Sequence, residues 1–128
     1  MRVFLTSCGL LLIVFLVYAY QSGYRFNRTA SHPIGIYRLV DQAPDVGLYA
    51  QFCIPATRAE LPPLDEVYVS PCTLDKQGHP LLKRIVRIDK ASDAYFVLGD
   101  HPKSLDSRIF GPLKHSDITG VLVEVWTF

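Results

Sequence analysis

A mainly β domain behind one N-terminal apolar helix is the fold predicted for this chain, the domain being a small barrel or folded sheet. Three observations predict it. The stretch "VFLTSCGLLLIVFLVYAY" (3–20) carries no charge. Beyond it, short runs rich in Val, Ile, Leu, Tyr and Phe alternate with Pro, Gly and Asp clusters, as strands and turns do. No segment after residue 20 repeats its apolar positions with the helical period.

The elements follow in order. Residues 3–20 are long enough to span a slightly thin bilayer, so residues 1–20 are read as a transmembrane anchor in contact with lipid. Arg2 and "VYA" (17–19) also fit a cleavable signal peptide, although the apolar run exceeds a usual signal core. Arg2 opposes Arg25, Arg28 and Arg38 across this segment, so charge does not set its orientation. Residues 21–28, "QSGYRFNR", form a polar spacer. The remainder, 29–128, is one domain of roughly 100 residues, enough for a single small core. Strands are expected at 34–40, 48–54, 66–70, 81–88, 94–100 and 120–126. One helical turn is expected within 56–65, stopped by Pro62 and Pro63.

Composition excludes several functions. Lys plus Arg number 13 against 12 Asp plus Glu, so no basic field argues for nucleic acid. The chain has no CxxC, no HExxH and no glycine-rich phosphate loop. Three of its four histidines (His32, His79 and His101) are followed directly by proline, which suits turns better than a metal centre. His115 and Asp117 could be drawn into a Ser-His-Asp triad, but they sit in a polar turn. No cofactor or metal is expected. Cys8 reads as a small buried residue of the apolar segment. Cys53 and Cys72 would close a loop in an oxidising compartment, worth about 3 kcal/mol in the chain-entropy model; in the cytosol they would be two core thiols.

Three stretches carry hydroxyls or charges in unusual settings. They are "TASHPIGIY" (29–37), "LLKRIVR" (81–87) and "LGDHPKSLDSRIFGPL" (98–113). Taken singly, each reads as an ordinary turn or edge strand. In the second, Lys83 shares a side with Leu81 and Ile85, while Arg84 shares one with Leu82 and Val86. Alternation alone therefore leaves open which cation faces inward.

Taken together and in order, the three resemble the membrane-anchored type I signal peptidases, most closely the TraF-type peptidases of conjugative transfer that mature pilins. The "S-x-P-x-G-x-Y" form around Ser31, with Gly35 and Tyr37, points to that branch. A lysine opening a "KR-aliphatic-aliphatic" strand corresponds to Lys83, and the "GD…SxDSR…G" box matches Gly99, Asp100, Ser104, Asp106, Ser107, Arg108 and Gly111. The resemblance implies a signal-peptidase-like β-barrel or folded sheet with Ser31 as nucleophile and Lys83 as general base. It implies that Ser104 orients the lysine and that an Asp106–Arg108 pair fixes the loop. It further implies a periplasmic domain on a bacterial inner membrane and an exported, pilin-like precursor as substrate. His32 departs from the pattern, standing where relatives carry an apolar residue. The "GD" box expected after Tyr37 is disturbed in "DVGLYAQF" (45–52). Only about fifteen residues separate Lys83 from Gly99, so the insertion found there in relatives is trimmed.

The implied chemistry is self-consistent. A serine hydroxyl attacks only when a base takes its proton, and lysine does so only when burial keeps it neutral. The Ser31 N–H and the Thr29 hydroxyl suit the oxyanion donors. His32, adjacent to Ser31 in an expected strand, should point to the opposite face and leave the base role to Lys83. Two rivals remain: a non-catalytic assembly protein of the same fold, and a repressor-type Ser-Lys autoprotease, against which the apolar N-terminus argues.

Overall fold

Helix α1 runs from Arg2 to Gln21 and leads into a sheet of six strands, β1 (Tyr24–Asn27), β2 (Gly35–Val40), β3 (Tyr49–Phe52), β4 (Leu81–Asp89), β5 (Ala94–Leu98) and β6 (Ile118–Thr127). A single helical turn, α2 (Ser107–Phe110), and a 3-10 turn at His115–Asp117 lie between β5 and β6. This computed structural model describes residues 2–28, 31–53 and 80–128, and only the backbone of 2–5. The helical turn expected in 56–65 and the strand expected at 66–70 lie outside the described residues.

The strand order is β1-β2-β6-β3-β4-β5, and every pairing is antiparallel. Among the described residues β1 and β5 remain as edges, so the sheet is not closed. Of the two predicted forms, the barrel is thus corrected to an open sheet. β1 lies inside the segment read as a spacer. Its pattern is inverted, with Tyr24 and Phe26 exposed and Arg25 and Asn27 half-buried, so apolar alternation could not announce a strand there.

Both faces of the sheet bury apolar side chains. On one, Ala50, Phe52, Ile85 and Val97 pack with Phe110 and Leu113 from the segment after β5. On the other, Tyr37, Tyr49 and Leu122 pack with Leu39 and Leu82. Successive residues of a strand serve opposite faces. Ala50 therefore joins the first core and Tyr49 the second, and their β4 partners Lys83 and Arg84 divide in the same way.

The β5 edge is covered by the chain that follows it. Tyr95 and Leu113 exchange backbone hydrogen bonds of 2.8 Å. The Val97 N–H donates to Ser107 Oγ, and the Gly99 N–H to Asp106 Oδ2, each at 2.9 Å. Bonds of this kind satisfy an edge that would otherwise pair with another chain.

On α1, every large apolar side chain from Leu10 to Tyr18 is exposed. Among the described residues no helix is long and apolar enough to cross a membrane; the described side chains of α1 begin at Thr6. The helix is tied to the sheet by the Gly23 N–H on the Tyr20 carbonyl (3.1 Å) and by the Leu39 N–H on the Gly23 carbonyl (3.0 Å).

Gly35, at the start of β2, lies so close to β6 that a Cβ there would overlap the Trp126 carbonyl and the Thr127 backbone. Backbone cannot step aside as a flexible side chain does. Gly35→Ala should therefore destabilise by roughly 1–3 kcal/mol, the range for overpacking. Gly9→Ala on α1, where nothing lies within 4 Å, should not. Denaturant unfolding of the two variants in detergent checks this.

Candidate functional site

The candidate catalytic and supporting residues singled out in the sequence come from three separate segments, and the fold gathers most of them at the end of β5. Lys83 lies in β4, in register with Ala50, and is only 4% exposed. It faces inward on the side of Ile85, while Arg84, on the other side, is half-buried. Burial of Lys83 disfavours the ammonium and lowers its pKa, against the raising effect of Asp106 and Asp100; Arg108 lowers it further. The same charges place Lys83 in the neighbourhood of the 99–108 segment.

That segment is organised by Asp106, which is fully buried. Its Oδ1 accepts from the Arg108 N–H (3.0 Å) and Nε (2.9 Å), and its Oδ2 accepts from the Arg108 guanidinium (2.6 Å) and the Gly99 N–H (2.9 Å). Burial opposes ionisation of this carboxyl, but the hydrogen bonds from Arg108 and Gly99 outweigh it and hold the group below the usual carboxylate range. Such a bidentate, charge-assisted pair is stronger and more directional than an ordinary ion pair. Asp106 also caps α2 through its bond to the Arg108 N–H, and the Arg108 guanidinium reaches the His101 carbonyl at 3.0 Å. The expected Asp106–Arg108 pair is therefore present.

Ser31 meets this segment through its backbone. The Asp100 N–H donates to the Ser31 carbonyl at 2.6 Å. A Cβ on Gly99 would overlap the Ser104 side chain and come within 3.2 Å of that same carbonyl. Glycine at 99 is thus what lets the loop holding Ser104 and the turn holding Ser31 close on each other. Ser104 is buried, and its Oγ has no hydrogen-bond partner among the described residues. The bond expected between Ser104 and the Lys83 amine is accordingly not formed in this structure. Thr29, the expected oxyanion donor, lies outside the described residues.

Residues 31–32 form a turn and bend rather than the expected strand, so the alternation argument for His32 does not apply as stated. The ring nevertheless lies on the far side. It is 2% exposed and meets the Tyr49 ring edge-on at 5.1 Å, on the face opposite Lys83. Burial, followed by repulsion from Lys83, lowers its pKa to about 4, against the raising effect of Asp100 and the Leu82 backbone. At neutral pH the ring is uncharged, and its 4.0 Å approach to the Asp100 carboxylate is no ion pair. Neither ring nitrogen has a well-formed hydrogen bond among the described residues.

A polar network that sequence reasoning missed surrounds His32. The Arg84 guanidinium donates to the Tyr49 hydroxyl (2.6 Å), which donates to Glu124 (3.3 Å), while the Tyr37 hydroxyl donates to the Pro33 carbonyl (2.7 Å). Pro33 is thereby held just after the turn that carries Ser31. Only the aromatic content of β2 and β3 hinted at it. Of the cysteines, Cys8 is free and exposed on α1, Cys53 follows β3, and Cys72 lies outside the described residues. No group of His, Cys, Asp or Glu among the described residues could hold a metal ion.

A family model described as signal peptidase, peptidase S26, matches residues 88–127. The match covers less than half of the chain, and it includes the whole of the segment from Gly99 to Gly111. It supports a signal-peptidase-like peptidase of the serine class. No curated protein and no solved structure matches the chain.

The state of Lys83 has a consequence for stability. A lysine whose folded pKa is lowered binds fewer protons when folded than unfolded, so stability rises with pH between the lowered value and the ordinary one. Lys83→Met removes the group that must be desolvated. It should be as stable as the parent or more so at neutral pH, and should lose the rise in stability towards alkaline pH. Chemical denaturation across neutral to alkaline pH is the check; an unchanged slope would mean that folding does not lower the Lys83 pKa.

Proposed function

We propose that this protein is a membrane-anchored serine endopeptidase in which Ser31 attacks the scissile carbonyl and Lys83 takes the hydroxyl proton. The reading rests above all on a buried lysine with a lowered pKa, set beside a family-matched segment whose backbone grips Ser31. Lys83 lacks the solvent that would keep it protonated, so it suits a general base. Thr29 and the Ser31 N–H serve as oxyanion donors. Ser104 holds the lysine amine once the site tightens on substrate, as apo geometries often do. Asp106 and Arg108 touch no substrate and position the loop.

The apolar helix α1 supplies the anchor in this reading, with the domain periplasmic on a bacterial inner membrane. A helix apolar all round is buried somewhere, and lipid is the cover that suits one outside the domain core. The substrate is an exported, membrane-inserted precursor of the pilin kind. Release by water gives a linear product; an amine that reaches the acyl-enzyme first gives a circular one.

Ser31→Ala should abolish precursor cleavage in membrane preparations while the protein stays folded. Lys83→Met should do the same, and Lys83→Arg should not rescue, because arginine keeps its proton. Thr29→Ala should slow cleavage by roughly ten- to a thousandfold, the range for one oxyanion donor, with Thr29→Ser mild. His32→Phe, which keeps the ring against Tyr49, should retain most activity and the rise of kcat/KM with pH. Loss of that rise in His32→Phe, with Lys83→Met still active, would assign the base to histidine. Pilus assembly that persists in Ser31→Ala would favour the non-catalytic assembly protein.

Export also implies a Cys53–Cys72 disulfide. Alkylation without reductant followed by mass spectrometry should leave these two residues unmodified and linked, with Cys8 alkylated. Alkylation of all three cysteines would contradict both the bond and the exported orientation.

A further inference from the structure

His32 is buried beside Ser31, yet no catalytic step uses it. The ring is 2% exposed, and neither of its nitrogens has a hydrogen-bond partner among the described residues. A neutral imidazole carries one donor and one acceptor, and burying them without partners is unfavourable. An apolar side chain would fill the same space against Tyr49 without that cost. The carboxylate within reach is that of Asp100, whose Oδ2 stands 4.0 Å from His32 Nδ1.

Asp100 is also the group that the two faces of β4 share. Its N–H donates to the Ser31 carbonyl at 2.6 Å, which fixes its backbone. Its side chain is half-exposed and forms no ion pair with a lysine or arginine among the described residues. Its charge favours the protonated form of both His32 and Lys83. The other polar groups around the two bases are committed. Asp106 accepts from Arg108 and the Gly99 N–H. Arg84 donates to the Tyr49 hydroxyl, which reaches Glu124, and the Tyr37 hydroxyl donates to the Pro33 carbonyl. Asp100 is left to serve one base or the other. Turned towards Lys83, it would give the ammonium a partner and leave the lysine a poorer base. Turned towards His32, it has to shorten a separation of 4.0 Å by only about 1 Å to make a hydrogen bond.

We infer that His32 is a positioning residue for the base: its neutral ring donates the Nδ1–H to the Asp100 carboxylate and so withholds that carboxylate from Lys83. The inference rests on the reading of Lys83 as general base and adds the group that sets its state. The Leu82 backbone also favours a proton on the ring, but a carboxylate is the stronger acceptor, so the single proton of the neutral ring goes to Nδ1. Lys83 and Arg84 both oppose a second proton. The ring therefore stays an uncharged donor wherever a lysine base can work, and it holds Asp100 without adding a charge of its own.

Lys83 reports the effect without any substrate. The full chain in detergent micelles, isotope-labelled at the lysine Cε carbons, is titrated by NMR, the Lys83 signal being the one lost in Lys83→Arg. Nitrogen spectra of the imidazole give its tautomer. The expected result in the parent is a ring proton on Nδ1. In His32→Phe the Lys83 pKa should rise by about one pH unit, the low end for an opposite charge brought near. His32→Asn, whose amide can donate in place of Nδ1, should return it to the parent value. Asp100→Asn should lower it, and adding His32→Phe to that variant should change nothing further. The rise of kcat/KM with pH in His32→Phe should move to the alkaline side by the same interval, its height little changed. Equal Lys83 values in the parent and His32→Phe, a ring proton on Nε2, or the same rise in His32→Asn as in His32→Phe would overturn the inference and leave Lys83 as the base. An ordinary lysine pKa in the parent would overturn the base reading and the inference with it. Where His32→Phe fails to fold, the tautomer of the parent and the Lys83 shift in Asp100→Asn carry the same decision.

Discussion

The buried Asp106 carboxylate is the constraint on which the candidate site depends. One side chain receives four hydrogen bonds, three of them from Arg108 and one from the backbone of Gly99. An ionised carboxylate out of water is costly unless its oxygens are so paired, and the folded chain places every one of these donors within reach. The end of β5, the first turn of α2 and the loop bearing Ser104 are thereby fixed relative to one another. Removing Arg108 would strand the fully buried Asp106 carboxylate, whereas Arg108, with its side chain 45% exposed, would keep solvent if Asp106 were lost.

From that fixed loop the remaining contacts follow by proximity. Gly99 is pinned by its N–H, and having no side chain it lets Ser104 and the Ser31 carbonyl approach. Asp100, one residue on, donates to that carbonyl. The Ser31 backbone is thereby held to the loop, and its neighbours along the chain are held from the other face of the sheet by His32 against Tyr49 and by Pro33 under Tyr37. A turn gripped on both sides in this way can present a hydroxyl without being part of a regular element. Lys83 sits on the opposite side of β4 from His32. The two nitrogen bases thus lie on opposite faces yet feel one another: Lys83 lowers the pKa of His32, and Asp100 raises both.

The division of the sheet into two faces also separates two kinds of demand. The face containing Phe52, Ile85 and Phe110 is closed by the chain after β5 and surrounds the lysine. The β1–β2–β6 end is left thin, with apolar rings outside and arginines beside them. A small domain has too little chain to cover every apolar surface.

Several of these features were legible in the residues. Composition alone located β2, β3, β4, β5 and β6 to within a few positions, and the apolar run located α1. The order of Gly99, Asp100, Ser104, Asp106 and Arg108 revealed the loop and its ion pair. Other features were not legible. β1 turns its apolar residues outward, so the pattern that announces strands was absent. An extended reading of residues 31–32 missed the turn that buries His32 against Tyr49, because that packing involves a strand about seventeen residues away. Whether Lys83 or Arg84 faces the site was undecidable from β4 itself. Alternation assigns faces only when one is apolar and the other polar, and here both faces of "LLKRIV" pack against hydrophobic cores. Pairing Ala50 with Lys83 and covering that side with Phe110 and Leu113 made the choice, and those are contacts between segments that no local period encodes.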